Sequence, residues 1–166
     1  MPTPLTPEDR RLMLRQKVHM RDHLDELQAL VGRPVRAEEL ESLERTKVLG
    51  EVARKQFSPL EKLTVEIPFS DRLSERFRDF VHRLRASNPS PVYVWIERAN
   101  ECGALLLPTI TSVRFDFDFS IESNGIISIS THDQSDRLVL DFYVSDDGDK
   151  RMTVSTQGNA WGKIKY

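Results

Sequence analysis

The chain has 166 residues, of which 39% are hydrophobic and 30% charged, and its formal net charge at pH 7 is -2. This length fits one domain, which would bury about 70% of the surface that the unfolded chain exposes. No uncharged apolar run of 18 residues or more and no signal-like apolar segment is present, so we expect a cytoplasmic protein without a membrane span. The single cysteine, Cys102, agrees with a reducing compartment, and the pI of about 6.1 argues against a general nucleic-acid binder.

The first part of the chain has the 3.6-residue periodicity of helices. Thr6 and Pro7 predict the start of a first helix, and Gly32 predicts its end. A second helix is predicted from about Arg36 to Gln56. These two helices should form a hairpin or a V.

A short strand and a third helix are predicted next. Residues Leu63 to Ile67 alternate with a period of two, and Pro68 limits this strand to an edge of a sheet or to its end. Ser70 is expected to cap the third helix. Its predicted buried face consists of Leu73, Phe77, Phe80, Val81 and Leu84.

From Val92 onward the apolar pattern has a period of two, which is typical of strands. Strands are predicted at 92–97, 104–107, 113–121, 126–131, 137–144 and 151–155, with the clearest alternation at 113–121. Asn124 and Gly125 are the residue types that a type I′ hairpin turn requires. Helices followed by strands predict an α+β fold, with N-terminal helices packed on one side of a C-terminal antiparallel β-meander. We expect one domain, with a helical part at 6–87 and a sheet part at 92–166.

Acidic residues are concentrated in the predicted sheet. Between Ala104 and Asp149 the chain has nine carboxylates and two arginines, a local charge of -7. The period of two places Asp116 and Asp118 opposite the phenylalanines of their strand, and Asp141 and Tyr143 are expected on the same outward face. Such a face is ordinary for a half-covered antiparallel sheet, and it is also a candidate docking face for a basic protein.

A metal-dependent hydrolase is a competing interpretation of the same carboxylates. Asp116 and Asp118 have the form D-x-D, and with Asp141 they could present three oxygen ligands to Mg²⁺ or Mn²⁺. This spacing arises by chance on any strand with an acidic outer face, and no lysine nearby completes a nuclease-like set. We therefore expect no metal, no cofactor and no catalytic residue.

Four other residues are candidates for metal binding, for reactivity or for partner binding. His19 and His23 are four residues apart on the first helix, which would allow a shared metal, but solvent exposure is the favoured interpretation. Cys102 is expected to be a buried thiol and not a nucleophile. Trp161, between two glycines, fits either a lid on the sheet edge or an interface anchor, because tryptophan is frequent among binding hot spots.

The stretch from Val92 to Tyr166 combines an acidic strand block, no active-site motif and a Gly- and Asp-rich meander that ends in a tryptophan. In these features it resembles the immunity proteins of bacterial polymorphic toxin systems, including contact-dependent growth inhibition. The resemblance implies a stoichiometric inhibitor that binds the toxin domain of its own cell's system. An acidic face complements such a toxin if the toxin carries a basic surface, so we expect a basic protein partner and neither nucleic acid nor membrane. The expected binding residues are Asp116, Asp118, Asp141, Tyr143 and Trp161.

Two alternatives to the inhibitor remain open. The first is a scaffold or regulatory subunit that binds through the first two helices, and the second is the metal-dependent hydrolase. The inhibitor and the scaffold differ in where the binding surface lies, on the sheet or on the helices. The hydrolase differs from both in its need for metal and turnover.

Overall fold

The computed structural model describes residues 3–118 and 125–166, which form an α+β fold as predicted. The helices are α1 (Pro7–Val31), α2 (Leu43–Phe57), α3 (Glu75–Ser87) and the short α4 (Ala99–Cys102). The strands are β1 (Leu63–Pro68), β2 (Val92–Trp95), β3 (Leu105–Leu107), β4 (Ile126–Thr131), β5 (Asp136–Val144) and β6 (Lys150–Gly158). All six strands form one antiparallel sheet in the order β1-β6-β5-β4-β2-β3, with β1 at an edge as its proline requires.

Helix α1 has the ends that its sequence predicts. A capping box begins it: the Thr6 hydroxyl accepts from the Asp9 N–H (3.1 Å), and the Asp9 carboxylate accepts from the Thr6 N–H (2.9 Å). Gly32 ends it in the left-handed region, with φ +69°, and donates its N–H to the carbonyl of Gln28. The buried residues of α1 are His23, Leu27 and Leu30, so its packing is confined to the C-terminal half.

Helices α2 and α3 begin later in the sequence than predicted, because tertiary contacts and other capping residues determine where they start. Helix α2 begins after Ser42, whose hydroxyl accepts from the Arg45 N–H at 3.1 Å, and not at Arg36. Residues 37–39 form a single 3₁₀ turn, and extended Leu40 then makes an isolated bridge to Leu105 of β3. Because Leu40 is extended in this bridge, the backbone is not helical again until α2 begins at Leu43.

Helix α3 begins after Ser74, and not after Ser70. The Ser74 hydroxyl accepts from the N–H of Phe77 at 3.1 Å, while residues 69–73 form a 3₁₀ turn. Leu73 therefore precedes the helix and is 56% exposed, although the other four residues of the predicted face are buried. The error has a local cause, because two serines four residues apart are both suitable caps.

Helices α1 and α3 pack on one face of the sheet, which we call the core face. The buried apolar residues here include Leu27 and Leu30 of α1, Phe77, Phe80 and Leu84 of α3, and Ile129, Leu138, Leu140, Met152 and Val154 of the strands. The second face, which we call the outer face, has α2 against part of it. Leu49 of α2 packs with Tyr93, and the Arg137 guanidinium lies over the Phe57 ring, 4.7 Å from its centroid. The strand register places Tyr93 and Arg137 on the same side, since both pair with Ser130.

The predicted strand at 113–121 is wrong over the part that the structure describes. Residues 113–118 are not in a strand, and the Arg114 N–H donates to the carbonyl of Leu30 at the end of α1 (2.6 Å). The phenylalanines alternate because one side of this segment lies on the core. Phe115 contacts Phe77 of α3 at 5.2 Å between ring centroids, and Phe117 contacts Phe142 at 5.5 Å. Residues 119–121 and Asn124 of the predicted turn lie outside the described residues.

Candidate functional site

The carboxylates of the predicted acidic face do not share one strand face. Asp141 is exposed on the outer face, opposite Thr153 in the register. Asp116 lies beside α3, where its carboxylate pairs with Arg114 at 2.6 Å. Asp118 borders a cavity with Phe142, a core-face residue adjacent to Asp141 in β5. Asp116 and Asp118 therefore do not lie on a strand face with Asp141, while their role in binding, alone or together, stays a prediction.

The outer face around Tyr143 is polar without being strongly acidic. The Tyr143 hydroxyl donates to the Glu66 carboxylate, and Arg151 contacts the same carboxylate at 2.8 Å. The hydrogen bond to Glu66 raises the pKa of Tyr143, and in turn it lowers the pKa of Glu66, with help from Arg151. Arg151 thus balances the charge of Glu66. Among the described residues around Tyr143, Asp141 is left as the carboxylate without a basic partner.

Some of the negative charge serves the fold itself. The buried carboxylate of Asp136 accepts the backbone N–H groups of Ala160 and Trp161, both at 2.8 Å, and the Asn88 side-chain amide at 2.7 Å. Asp133 likewise accepts from the Thr131 hydroxyl at 2.8 Å in the β4–β5 turn. The count of -7 therefore overstates the charge that this segment offers to a partner.

Trp161 is a core residue, so the interface-anchor interpretation is wrong. Its side chain is 0% exposed, and its indole Nε1–H donates to the carbonyl of Leu84 at 2.9 Å. The flanking glycines suggested little cover, but the cover comes from α3 and the strands, which are distant in sequence. The sequence has no local signal for this contact.

The two histidines of α1 have different environments. His19 Nδ1 lies 2.6 Å from the Glu101 carboxylate. His23 is fully buried, so its predicted exposure is wrong, and its Nε2 lies 2.9 Å from the carbonyl of Gly103. Because that carbonyl only accepts, Nε2 carries the proton, and the buried Nδ1 has no partner among the described residues. Burial lowers the pKa of His23.

Cys102 is buried, and burial raises the pKa of its thiol, as expected for an unreactive cysteine. Within residues 3–118 and 125–166, no three His, Cys, Asp or Glu side chains lie close enough to hold a metal ion. No helix of the described chain is both long and apolar enough to cross a membrane.

The first helix, which the scaffold alternative assigned to binding together with the second, presents an exposed apolar surface. Residues 7–18, which we call the exposed half of α1, include no buried residue. Leu14 is 63% exposed and Val18 is 71% exposed. At 3.6 residues per turn they lie on one side of the helix, roughly opposite Leu27 and Leu30, which face the core. These two side chains therefore contribute little to the packing of the chain itself.

Basic side chains surround this apolar pair. At about 100° per residue, Arg11 and Arg15 lie to one side of Leu14 and Val18, and Arg10 and Lys17 lie to the other. Acidic residues in the exposed half are Glu8 and Asp9, which leaves a net charge of +2. The sequence contained a signal for this surface, since Leu14 and Val18 fall outside the apolar stripe that packs on the sheet.

No protein-family model, curated protein or solved structure matches this chain. The resemblance to immunity proteins therefore stays a prediction.

Proposed function

We propose that the chain is a protein-binding module, an adaptor or regulatory subunit, whose binding surface is the exposed half of α1. The observation that carries the proposal is the exposure of Leu14 and Val18 on a helix whose other half is held in the core. An isolated helix as short as the exposed half of α1 would be marginal in water, so the capping box and the packed half of α1 hold this segment in a binding conformation. A partner then does not have to order this segment on binding.

The charge around Leu14 and Val18 favours an acidic partner. An interface with an apolar centre and a charged rim excludes wrong partners through the rim and gains most of its affinity at the centre. Here the rim is basic, with Arg10, Arg11 and Lys17 exposed. We therefore propose a protein with an apolar patch bordered by carboxylates. This reverses the partner charge expected from the sequence, where the acidic sheet segment was the candidate surface.

The expected affinity loss follows from the two apolar side chains. Full burial of a leucine or valine contributes about 1.5–3 kcal/mol, so replacing Leu14 and Val18 by serine should weaken binding by about 100-fold or more. Val48 and Val52 of α2 provide a matched control. They are also an exposed pair four residues apart on a helix, at 45% and 46% exposure.

The test immobilises three proteins, exposes each of them to lysate from the source cells, and compares the proteins that they retain. The three are the wild type, the α1 variant Leu14→Ser/Val18→Ser and the α2 control Val48→Ser/Val52→Ser. The wild type and the α2 control should retain an acidic protein that the α1 variant loses. Calorimetry with that purified protein should then show the affinity difference and weaker binding at higher salt.

Three results would contradict the proposal. One is loss of the partner from the α2 control while the α1 variant retains it. Another is sedimentation showing that the chain covers Leu14 and Val18 by pairing with a second copy. The third is binding of the wild type, but not the α1 variant, to anionic phospholipid vesicles, which would replace the protein partner with a membrane surface.

A further inference from the structure

A basic cavity of about 480 Å³ lies between α2 and the outer face of the sheet. Its wall includes three cations, Arg54, Lys62 and Arg137, and no carboxylate among its described lining residues. Phe57 and Trp95 provide aromatic rings. This site is separate from the exposed half of α1 and involves none of its residues.

Arg137 is the cation that most needs a counter-ion. It is half-buried, and its Nε and Nη2 donate to the side-chain oxygen of Gln157 at 3.1 and 2.5 Å. Its guanidinium also stacks over the Phe57 ring. Burial lowers its pKa, with no carboxylate to oppose the effect, and no described residue forms an ion pair with it. A guanidinium that is partly withdrawn from water and has no carboxylate partner among the described residues can still accept an anion from outside the chain.

The lining also offers neutral donors. The Trp95 indole N–H donates to the Ser130 hydroxyl oxygen at 3.0 Å, which leaves the Ser130 proton available as a donor. Ser128 lies on the same wall. The C-terminal end of α2 would oppose an anion, but the Phe57 carbonyl is already occupied by the Gln157 amide at 2.9 Å and the Leu60 N–H at 3.1 Å.

Gly50, in the middle of α2, lines the cavity. A glycine in a helix interior costs about 1 kcal/mol relative to alanine. No packing constraint explains it, because a Cβ built on Gly50 would meet nothing within 4 Å. A larger side chain at this position would project into the cavity.

We propose that the cavity binds a small planar organic anion, an aryl phosphate or aryl carboxylate. The anionic group would lie between Arg54, Lys62 and Arg137, and the ring would lie against Trp95. The volume is within the range of small-molecule sites, about 300–1,000 Å³. Charge-assisted hydrogen bonds to arginine are the strongest that a protein offers to such a group.

The test is an NMR titration of the ¹⁵N-labelled chain with phenyl phosphate and, separately, with inorganic phosphate. The chain has two tryptophans, so the indole N–H signals give a built-in control. Trp95 should shift with saturation, and Trp161, which lies in the core, should not. Phenyl phosphate should bind at least about twofold more tightly than inorganic phosphate, since a ring stacked on an aromatic side chain adds about 0.5–1.5 kcal/mol.

Variants locate the site. Arg54→Gln should weaken phenyl phosphate binding about tenfold, as expected for the loss of one charge-assisted contact, while Lys55→Gln, the next residue of α2 and outside the lining, should not. Gly50→Leu should abolish binding, and because leucine has the higher helix propensity, an unchanged or higher melting temperature of this variant would separate the loss of binding from unfolding.

Four outcomes would overturn the proposal. They are no saturable shift of Trp95, equal losses from Arg54→Gln and Lys55→Gln, undiminished binding by Gly50→Leu, and displacement of phenyl phosphate by far lower concentrations of a single-stranded oligonucleotide. The last outcome would assign the cations to a nucleic-acid backbone.

Discussion

The sharpest stability test compares two leucines of the same helix. Leu27 is 0% exposed in the core, and Leu14, 13 residues earlier in α1, is 63% exposed. Leu27→Ala and Leu14→Ala remove the same atoms from the same secondary structure, and alanine is compatible with a helix at both sites. Any difference in the free energy of unfolding therefore reports how the two halves of α1 are packed.

The structure sets the size of the difference. A fully buried leucine replaced by alanine costs about 2–5 kcal/mol, including the cavity that remains. Leu14 has about a third of its side chain covered, and full burial contributes about 1.5–3 kcal/mol, so its replacement should cost less than about 1 kcal/mol. We expect the two variants to differ by at least about 1 kcal/mol.

Urea denaturation followed by circular dichroism, at two protein concentrations, measures both values, and unchanged m-values would confirm comparable unfolding. If Leu14→Ala cost more than about 2 kcal/mol at both concentrations, the chain itself would cover this residue and the proposed binding surface would not exist. A cost that appeared only at the higher concentration would show that self-association covers it.

The parts of the fold that could be predicted depend on short-range signals. The capping box of Thr6 and Asp9 and the left-handed Gly32 fix the ends of α1 within a few residues of sequence. The alternating patterns of β4, β5 and β6 report one buried face directly. Where two caps compete, as Ser70 and Ser74 do, local sequence does not decide between them.

The segment at 113–118 shows why a perfect alternation does not guarantee a strand. A period of two reports that every second side chain is buried, whatever the backbone bonds to. Here Phe115 and Phe117 are covered by α3 and by the aromatic residues around Phe142, and the Arg114 N–H bonds to the end of α1. The burial was predictable from the sequence, but the hydrogen-bond partners were not.

The candidate sites were harder to predict because charge counts do not include geometry. Asp136 counted as a surface charge in the sequence, yet inside the fold its carboxylate accepts hydrogen bonds from two backbone N–H groups and from the Asn88 amide. Arg54 of α2 and Arg137 of β5 are 83 residues apart in sequence, yet both line the basic cavity. They meet there because α2 packs on the outer face of the sheet, where the strand register places Arg137. No periodicity or spacing in the sequence relates these two arginines.

Two further predictions concern buried polar groups. Asp136→Ala should lower the free energy of unfolding, measured by urea denaturation, by about 3–5 kcal/mol, because the Trp161 N–H and two other donors lose a charged acceptor. The control Asp149→Ala, in an exposed turn, should lower it by less than about 0.5 kcal/mol. A loss below about 1 kcal/mol for Asp136→Ala would contradict this role. The second prediction is a pH dependence from His23. Burial lowers its pKa in the folded chain, whereas in the unfolded chain the pKa is near its ordinary value of about 6.5. The unfolded state therefore binds more protons below that pH, so the contribution of His23 is complete above about pH 6.5 and stability falls as the pH decreases. His23→Gln keeps a donor for the Gly103 carbonyl but has no proton to gain, so the fall in melting temperature from about pH 7.5 to about pH 5.5 should become smaller. All other titrating groups are common to the two proteins, and exposed His82→Gln serves as the control that should keep the wild-type slope. An identical slope in His23→Gln and wild type would show that protonation of His23 is not opposed by its burial.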